Sequence, residues 1–271
     1  MITADFHVHS VFSSDGKAAM EEMIEQGILL GLKTICFTDH MDYDVPNQYK
    51  YTFELNTDDY IAKLEEMKEK YKSRIEILTG IELGYQPQVI DRMKALVEKY
   101  PFDFIINSVH VIDHMDPYYP DYWENRSEED GLLRCFHMVK ESCENFQDYH
   151  VCGHIDYIVR YAPSSKINYK EYSYPYYADV IDEILKTVIK HGKGIELNTS
   201  GYKYGLGHPH PKAEVIKRYK ELGGEIITIG SDAHQPEHLC HDFEKAEGLL
   251  KECGFRYYAV FREGRPVMVK L

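Results

Sequence analysis

The sequence has no apolar run of the roughly 20 residues that a membrane-spanning helix needs, so no membrane association is predicted. It also has no basic amino-terminal stretch followed by an apolar one, which argues against a secretory leader and favours a cytoplasmic location. None of the six cysteines form a C-x-x-C pair, so the cysteines are expected to be reduced packing residues and a thiolate metal site is disfavoured.

Positive charge is scarce as well. The chain has 31 Lys and Arg residues against 45 Asp and Glu, for a formal net charge of −14, and its basic residues form no blocks. This composition excludes a long nucleic acid as a partner, because proteins that bind a phosphate backbone cluster their cations. An anionic substrate would need positive charge from metal ions or from one or two arginines. Histidine, the commonest metal ligand, is plentiful at 14 residues.

Two common enzyme motifs, one for dinucleotide binding and one for serine hydrolases, are also missing. No G-x-G-x-x-G follows the first predicted strand, which removes the usual dinucleotide-binding signal, and no G-x-S-x-G marks a serine hydrolase. The chain instead alternates short apolar segments with amphipathic helices. The predicted strands are Asp5–His9, Thr34–Thr38, Ile75–Glu82, Phe104–His110, Val151–His154, Gly194–Asn198 and Ile226–Ser231. The predicted helices include Thr57–Tyr71, with Thr57 as its N-cap, Pro175–His191 and Lys212–Leu222.

Seven strand–helix units predict an α/β fold, a distorted (β/α)7 TIM-like barrel that forms a single domain over residues 1–271. A doubly wound open sheet is the alternative that the same pattern leaves. After the last unit, Tyr257–Phe261 and Pro266–Lys270 flank the turn residues Glu263-Gly264-Arg265 and predict a small hairpin.

Metal-ligand side chains recur where the predicted strands end. In a barrel these carboxyl ends face one mouth, and six of the seven strands would deliver a His or a carboxylate there. Consecutive side chains of a strand alternate, so both imidazoles of an H-x-H pair lie on one face and can bind one metal. A buried Glu among histidines would be costly unless it bridged cations. The strand-end residues are His7, His9, His40, Glu82, His110, His154, Asp156, Asp232 and His234.

Several neighbouring residues are assigned other roles. Asp39 alternates with His40, so we interpret it as structural or as a support for a ligand, whereas Asp5 shares the face of His7 and His9 and could orient a ligand histidine. The remaining histidines lie in predicted helices or loops and are expected to be solvated or capping residues. They are His114, His137, His150, His191, His208, His210, His238 and His241.

Taken in order, these motifs resemble those of the PHP family, which is named for polymerase and histidinol phosphatase. The resemblance covers residues 5 to 234. It implies a distorted seven-stranded barrel with a trinuclear metal centre. The matching motifs are Asp5-x-His7-x-His9-Ser10, Thr38-Asp39-His40, Gly80-Ile81-Glu82, Ser108-Val109-His110, Gly153-His154 and Ser231-Asp232-Ala233-His234.

The resemblance also implies a ligand for each metal. His7 and His9 would hold the first metal with Asp232 and a bridging Glu82. His110 and His154 would hold the second with Glu82, and His40 and His234 would hold the third. Asp15 stands where the family often has a further ligand, although an Asp before Gly16 also suits a turn. The expected cofactors are two to three divalent transition ions, and the nitrogen and oxygen donors suit Zn, Mn or Fe.

Within the family, the chain resembles the stand-alone histidinol-phosphate phosphatases of histidine biosynthesis, in the segments Gly153–Tyr161 and Glu196–Gly201. The resemblance implies hydrolysis of L-histidinol phosphate, a small phosphomonoester, by attack of a metal-activated hydroxide on phosphorus. Arg160 would bind the phosphate. Lys203 stands near the place of a second phosphate-binding arginine, and Asp15 or His234 would supply the proton to the leaving group.

Other functions stay open at this point. A PHP phosphoesterase that acts on nucleotides or on protein phosphotyrosine would use the same ligands. An amidohydrolase also begins with H-x-H but usually carries a bridging lysine where this chain has Glu82, and a non-catalytic metal-binding module is a third alternative. The Tyr-rich segments Tyr43–Tyr51, Tyr118–Tyr122 and Tyr202–Tyr204 would either wall a pocket for an imidazole or cover loop contacts. The sequence does not fix the oligomeric state.

Overall fold

Seven parallel strands surround the centre of the structure, a computed structural model that describes residues 1–49, 52–163 and 172–271. Their order around the sheet follows the chain. Beyond the last strand, the backbone nitrogen of Asp232 donates to the carbonyl of His7 over 2.9 Å, which joins the two ends of the sheet. The strands are β1 (Ala4–Val8), β2 (Thr34–Phe37), β5 (Glu76–Gly84), β6 (Phe104–Ser108), β7 (Val151–Cys152), β8 (Gly194–Asn198) and β9 (Ile227–Gly230).

This closure confirms the predicted seven-stranded barrel, and the open doubly wound sheet is wrong. The described residues also share one hydrophobic core. Several strands end earlier than predicted, so His9, His110 and His154 lie just beyond the paired backbone. The chain turns at this edge, as the left-handed backbone of Asp232 at φ 53° shows. Most of the side chains that meet at the mouth therefore belong to irregular backbone beyond the strand ends, and fewer belong to regular strands.

Two short strands that the sequence did not predict extend one wall of the mouth. β3 (His40–Asp42) continues the line of β2 and pairs with β5, with His40 opposite Glu82. β4 (Phe53–Glu54) pairs antiparallel with β3. This pairing brings His40 and Glu82 into adjacent positions although they are 42 residues apart in the chain.

Helices pack around the barrel and bury one face each. In α2 (Thr57–Tyr71), the inward residues include Tyr60, Leu64 and Met67, all fully buried. Among the described residues, no helix combines the length and apolar character that crossing a membrane requires. The helices are α1 (Met20–Leu29), α2 (Thr57–Tyr71), α3 (Ile90–Lys99), α4 (Glu128–Asn145), α5 (Tyr174–Lys190), α6 (Ser200–Lys203), α7 (Ala213–Glu221) and α8 (Phe243–Glu252).

The predicted hairpin is confirmed and covers the opposite end of the barrel. It consists of β10 (Tyr257–Arg262) and β11 (Arg265–Lys270), which pair antiparallel. The ring of Phe261 packs against those of Phe104 and His150, at 5.2 and 4.9 Å between centroids. Phe104 begins β6 and His150 directly precedes β7, so the hairpin covers the amino ends of the strands. The mouth at the carboxyl ends stays free for a site.

The N-cap of α2 is Asn56, and the prediction of Thr57 is wrong. The Asn56 side chain accepts a hydrogen bond from the backbone nitrogen of Asp59 at 3.3 Å, whereas Thr57 already belongs to the helix and is buried. We expect Asn56→Ala to lower the free energy of unfolding by about 1 kcal/mol, because a backbone donor loses its partner. Urea unfolding measures this, with exposed Asn125→Ala as the control. Equal midpoints for both variants would contradict the assignment.

Candidate metal centre

Glu82, near the end of β5, lies at the middle of a ring of histidines. Its side chain is fully buried. Ser108 donates its hydroxyl to Glu82 Oε1 at 2.6 Å. Five imidazoles surround the same carboxylate within 3.6 Å. The nitrogen–oxygen distances are 3.2 Å for His7, 3.6 Å for His9, 2.9 Å for His40, 3.3 Å for His110 and 2.9 Å for His154.

Asp232 approaches the same ring from the segment after β9. Its Oδ1 lies 3.8 Å from His7 Nε2 and 3.5 Å from His9 Nε2. His7 lies on β1 and His9 lies two residues later, just beyond the strand, so both rings face the barrel interior and meet Glu82 and Asp232 together. The first predicted ligand group is therefore assembled in space.

His40, His234 and Asp15 form the outer corner of the cluster. Asp15 Oδ2 lies 3.1 Å from His234 Nε2, and Asp15 Oδ1 lies 4.0 Å from His40 Nε2. The rings of His40 and His234 stack on His9 at 4.3 and 4.1 Å. Asp15 is 46% exposed, so this corner is the open edge. The structure thus places all nine predicted ligands in one cluster, and their binding of metal stays a prediction.

The electrostatics of the cluster fit divalent cations. Burial opposes ionisation of Glu82, but the charges of His7, His110 and His40 hold the pKa of that carboxyl well below its usual range. Burial and the neighbouring His234 and His40 lower the pKa of His9, which keeps a lone pair available. The atoms His7 Nε2, His9 Nε2 and Glu82 Oε2 are buried without a hydrogen-bond partner in the part of the chain that the structure describes. Buried donors of this kind are typical of a metal site, because otherwise their desolvation is uncompensated.

Two cationic side chains border the Asp232 side of the mouth. Arg160 ends the 3₁₀ helix Tyr157–Arg160 that follows β7, and its Nη1 lies 4.0 Å from Asp232 Oδ2. Lys203, at the end of α6, donates from Nζ to the carbonyl oxygen of Asp232 at 3.1 Å. Both predicted phosphate-binding residues therefore lie beside the candidate ligands.

Comparison with known proteins identifies the family and the fold of the chain. The PHP domain profile matches residues 5–200. The chain belongs to the PHP family. Among its relatives, the histidinol-phosphatase of Lactococcus lactis is 30% identical over 267 residues, with 95% of this chain and 93% of that protein covered. A probable histidinol-phosphatase of Thermotoga maritima is 31% identical over 268 residues, with 98% and 99% covered.

A solved structure is also similar over nearly the whole chain. It is the crystal structure of histidinol phosphate phosphatase from Lactococcus lactis, complexed with zinc, L-histidinol and phosphate. Its TM-score is 0.90 at 27% sequence identity, with 98% of each chain covered. The PHP assignment sets aside the amidohydrolase alternative, in agreement with Glu82 at the position where that family usually carries lysine.

A second layer of the PHP centre, which the sequence analysis did not identify, orients the histidines. Glu196 on β8 places Oε1 2.5 Å from His7 Nδ1, and its Oε2 accepts the backbone N–H of His154 at 2.9 Å. Asp42 on β3 places Oδ1 2.7 Å from His110 Nδ1. Carboxylates of this kind fix the tautomer and rotation of a ligand imidazole. The sequence signal that could have identified Asp42 was its spacing of two residues from the candidate ligand His40.

The predicted role of Asp5 in orienting a ligand ring is wrong. Its carboxylate accepts hydrogen bonds from the backbone and hydroxyl of Ser231 at 2.9 and 2.6 Å, and it reaches only the backbone nitrogen of His7. Asp5 therefore ties β1 to the segment after β9. Burial raises its pKa to about 6 despite these bonds. Asp39 fits both roles that were expected: it accepts from the backbone nitrogens of Ser10 and Ser13, and the Ser13 hydroxyl that donates to it also lies 3.1 Å from Nδ1 of the candidate ligand His9.

The expectation of a solvated or capping residue is wrong for His210. That residue is fully buried, and its Nδ1 lies 2.6 Å from Asp156 Oδ1. Asp156 also accepts from the Lys212 backbone and the Tyr172 hydroxyl, at 2.9 and 2.7 Å. Asp156 is thus a structural anchor for the loops at this side of the mouth. Sequence alone did not reveal it, because the partners come from distant segments.

Glu82→Gln tests the bridging role of Glu82. We expect the variant to lose at least one metal ion per chain and roughly 100-fold or more in kcat, because a neutral amide cannot bridge two cations. Elemental analysis and a phosphatase assay measure both, and chelation of the unchanged protein should abolish activity in parallel. Glu98→Gln, on an exposed face of α3, is the matched control. Full metal content and turnover in Glu82→Gln would rule out the bridge.

Proposed function

We propose that this PHP-family chain hydrolyses L-histidinol phosphate to L-histidinol and inorganic phosphate, the reaction of a histidinol-phosphatase in histidine biosynthesis. The main structural support for this proposal is the cluster of five imidazoles around Glu82, with Arg160 at its rim. Support comes from the similar Lactococcus structure, which contains L-histidinol and phosphate with zinc. Two independent features therefore agree: a site suited to metals and phosphate, and relatives that act on this substrate.

We further propose that the cluster holds two to three divalent ions. His7, His9 and Asp232 would hold one with Glu82, and His110 and His154 would hold another with Glu82. His40, His234 and Asp15 would hold the third. Zinc fits this donor set, as do manganese and iron. When bound, such ions lower the pKa of water to about 7 and offset negative charge on phosphoryl oxygens.

Arg160 and Lys203 would bind the phosphate oxygens that face Asp232. The guanidinium of Arg160 presents paired donors that match two oxygens of a phosphate, and Lys203 adds a second positive charge. A protein of net charge −14 repels anions at long range, so local cations at this rim are needed.

The leaving alcohol needs a proton as its bond to phosphorus breaks. Asp15 and His234 lie 3.1 Å apart at the open edge of the cluster. Water replaces the alcohol on phosphorus, so the proton that this pair holds is balanced by the one that the attacking water loses. We propose the pair as the proton source in a centre that holds only two ions, with no third ion between Asp15 and His234, because the pair is the part of the cluster nearest solvent, where the alcohol departs.

A substrate panel tests the function. We expect kcat/KM for L-histidinol phosphate to exceed those for p-nitrophenyl phosphate, nucleoside monophosphates and phosphotyrosine peptides by roughly 100-fold or more, because binding energy from the whole substrate is used in the transition state. Preference for a nucleotide or a peptide would replace the histidine-biosynthesis proposal with another PHP phosphoesterase. Metal content without turnover of any ester would indicate a binding module.

Arg160→Ala tests the phosphate contact. We expect kcat/KM to fall roughly 100-fold with bound metal unchanged, because the lost side chain contacts phosphate and not the ions. Arg126→Ala is the matched control, since Arg126 also lies over a tyrosine, Tyr122 at 4.1 Å, but away from the metal cluster. Wild-type kinetics in Arg160→Ala would remove this residue from the site.

A further inference from the structure

A wall of tyrosines lines the mouth beside Arg160. The ring of Tyr161 lies 4.8 Å from the Arg160 guanidinium, and Tyr118 packs edge-on against Tyr161 at 5.4 Å. Tyr118 contacts Tyr119 at 5.0 Å, and Tyr119 stacks on Tyr49 at 4.3 Å. Tyr118 is 63% exposed, so part of the wall faces solvent at the entrance. The wall begins where a phosphate bound by Arg160 would present its ester group.

One carboxylate, that of Asp116, is built into this wall. Its backbone nitrogen donates to the Tyr49 hydroxyl at 3.0 Å, and its Oδ1 accepts the backbone N–H of Tyr118 at 2.8 Å. Its Oδ2 has no hydrogen-bond partner among the residues that the structure describes. The loop is therefore fixed while one carboxylate oxygen stays available to a ligand.

Asp116 interacts both with the candidate metal cluster and with the candidate phosphate-binding residue. Its charge interacts with His110, a candidate metal ligand, and with Arg160, the candidate phosphate ligand. Asp116 also lies next to Tyr118, whose ring packs against the ring of Tyr161 beside Arg160. Burial raises the pKa of Asp116, so its neighbours do not fully compensate its desolvation. A cationic group in contact with Oδ2 would compensate it, and the adjacent rings also favour a cation.

We propose that Asp116 binds the ammonium group of L-histidinol phosphate and so selects this substrate among phosphomonoesters. This inference rests on the proposed function. In that substrate the amine is carried on the carbon next to the ester carbon, so it is the cationic group closest to the phosphate. A charge-assisted hydrogen bond to a fixed carboxylate is the strong form of such a contact. Phosphate esters without an amine make no use of it.

The experiment compares Asp116→Asn with the unchanged protein on three substrates: L-histidinol phosphate, its analogue without the amine, and p-nitrophenyl phosphate. We expect kcat/KM for L-histidinol phosphate to fall roughly 10- to 100-fold, mainly through KM, because a charged hydrogen bond is lost. The other two esters should change less than about twofold, with bound metal unchanged. Inhibition by L-histidinol should weaken while inhibition by inorganic phosphate stays the same.

Three further variants serve as controls. Asp113→Asn lies on the same loop, where Asp113 pairs with Arg134 at 2.7 Å, and should leave all three substrates unaffected. Asp44→Asn tests the competing location, a cavity of about 310 Å³ that Asp42, Asp44 and Glu54 line. Asp116→Glu keeps the charge and should retain part of the preference for the amine.

Each arm decides a different point. An equal loss on all three substrates would show that Asp116 acts on structure and not on the amine, and no loss on any would also overturn the inference. A selective fall in kcat/KM for L-histidinol phosphate in Asp44→Asn, and not in Asp116→Asn, would show that the ammonium group binds in the cavity lined by Asp42, Asp44 and Glu54 and would overturn this inference. An unchanged protein that fails to hydrolyse L-histidinol phosphate would overturn the proposed function itself. Normal turnover with an unaffected Asp116→Asn would overturn this inference alone.

Discussion

The buried carboxylate of Glu82 is the constraint on which the mouth of the barrel depends. Five imidazoles lie within 3.6 Å of it, and its two oxygens cannot satisfy five rings by hydrogen bonds alone. Without cations, the desolvation of these groups would oppose folding of the mouth. Divalent ions would resolve this conflict, because each imidazole nitrogen and carboxylate oxygen would then be attracted to a shared positive charge. The same requirement explains why residues from almost every strand end converge on one point.

Side chains behind the candidate ligands fix the orientation of the ligand groups by hydrogen bonds. Glu196 fixes His7, Asp42 fixes His110, and Ser108 holds Glu82 itself. Each of these supports comes from a different strand, so the rotations of the ligand rings depend on closure of the whole barrel. Weaker closure of the barrel would therefore alter the orientation of the candidate ligand rings before the barrel unfolded. The covered amino end, where Phe261 packs on Phe104, stabilises that closure at a distance from the chemistry.

Periodicity and the residues at the strand ends predicted the barrel and eight of the nine clustered side chains, since a spacing of two residues already places His7 and His9 on one face. The ninth, Asp15, was implied by the resemblance to the PHP family. Partners brought together by tertiary structure were beyond the sequence. Glu196 lies 189 residues from His7, and no local pattern joins them. Asp5 was assigned to the correct face, but its partner is Ser231, which only closure of the barrel brings near. His210 was missed for the same reason, because its burial depends on Asp156.

The charge of the whole molecule bears on which phosphate ester suits it. At −14 the protein repels a dianionic nucleotide or an acidic peptide before either reaches the local cations. L-Histidinol phosphate carries an ammonium group beside its phosphate, so its net charge is smaller and the repulsion is weaker. Its ammonium group also complements the carboxylate of Asp116, which would only oppose other esters. The cationic side chains of Arg160 and Lys203 and the carboxylate of Asp116 therefore favour a substrate that carries both signs of charge. The long-range field and these local contacts favour the same substrate.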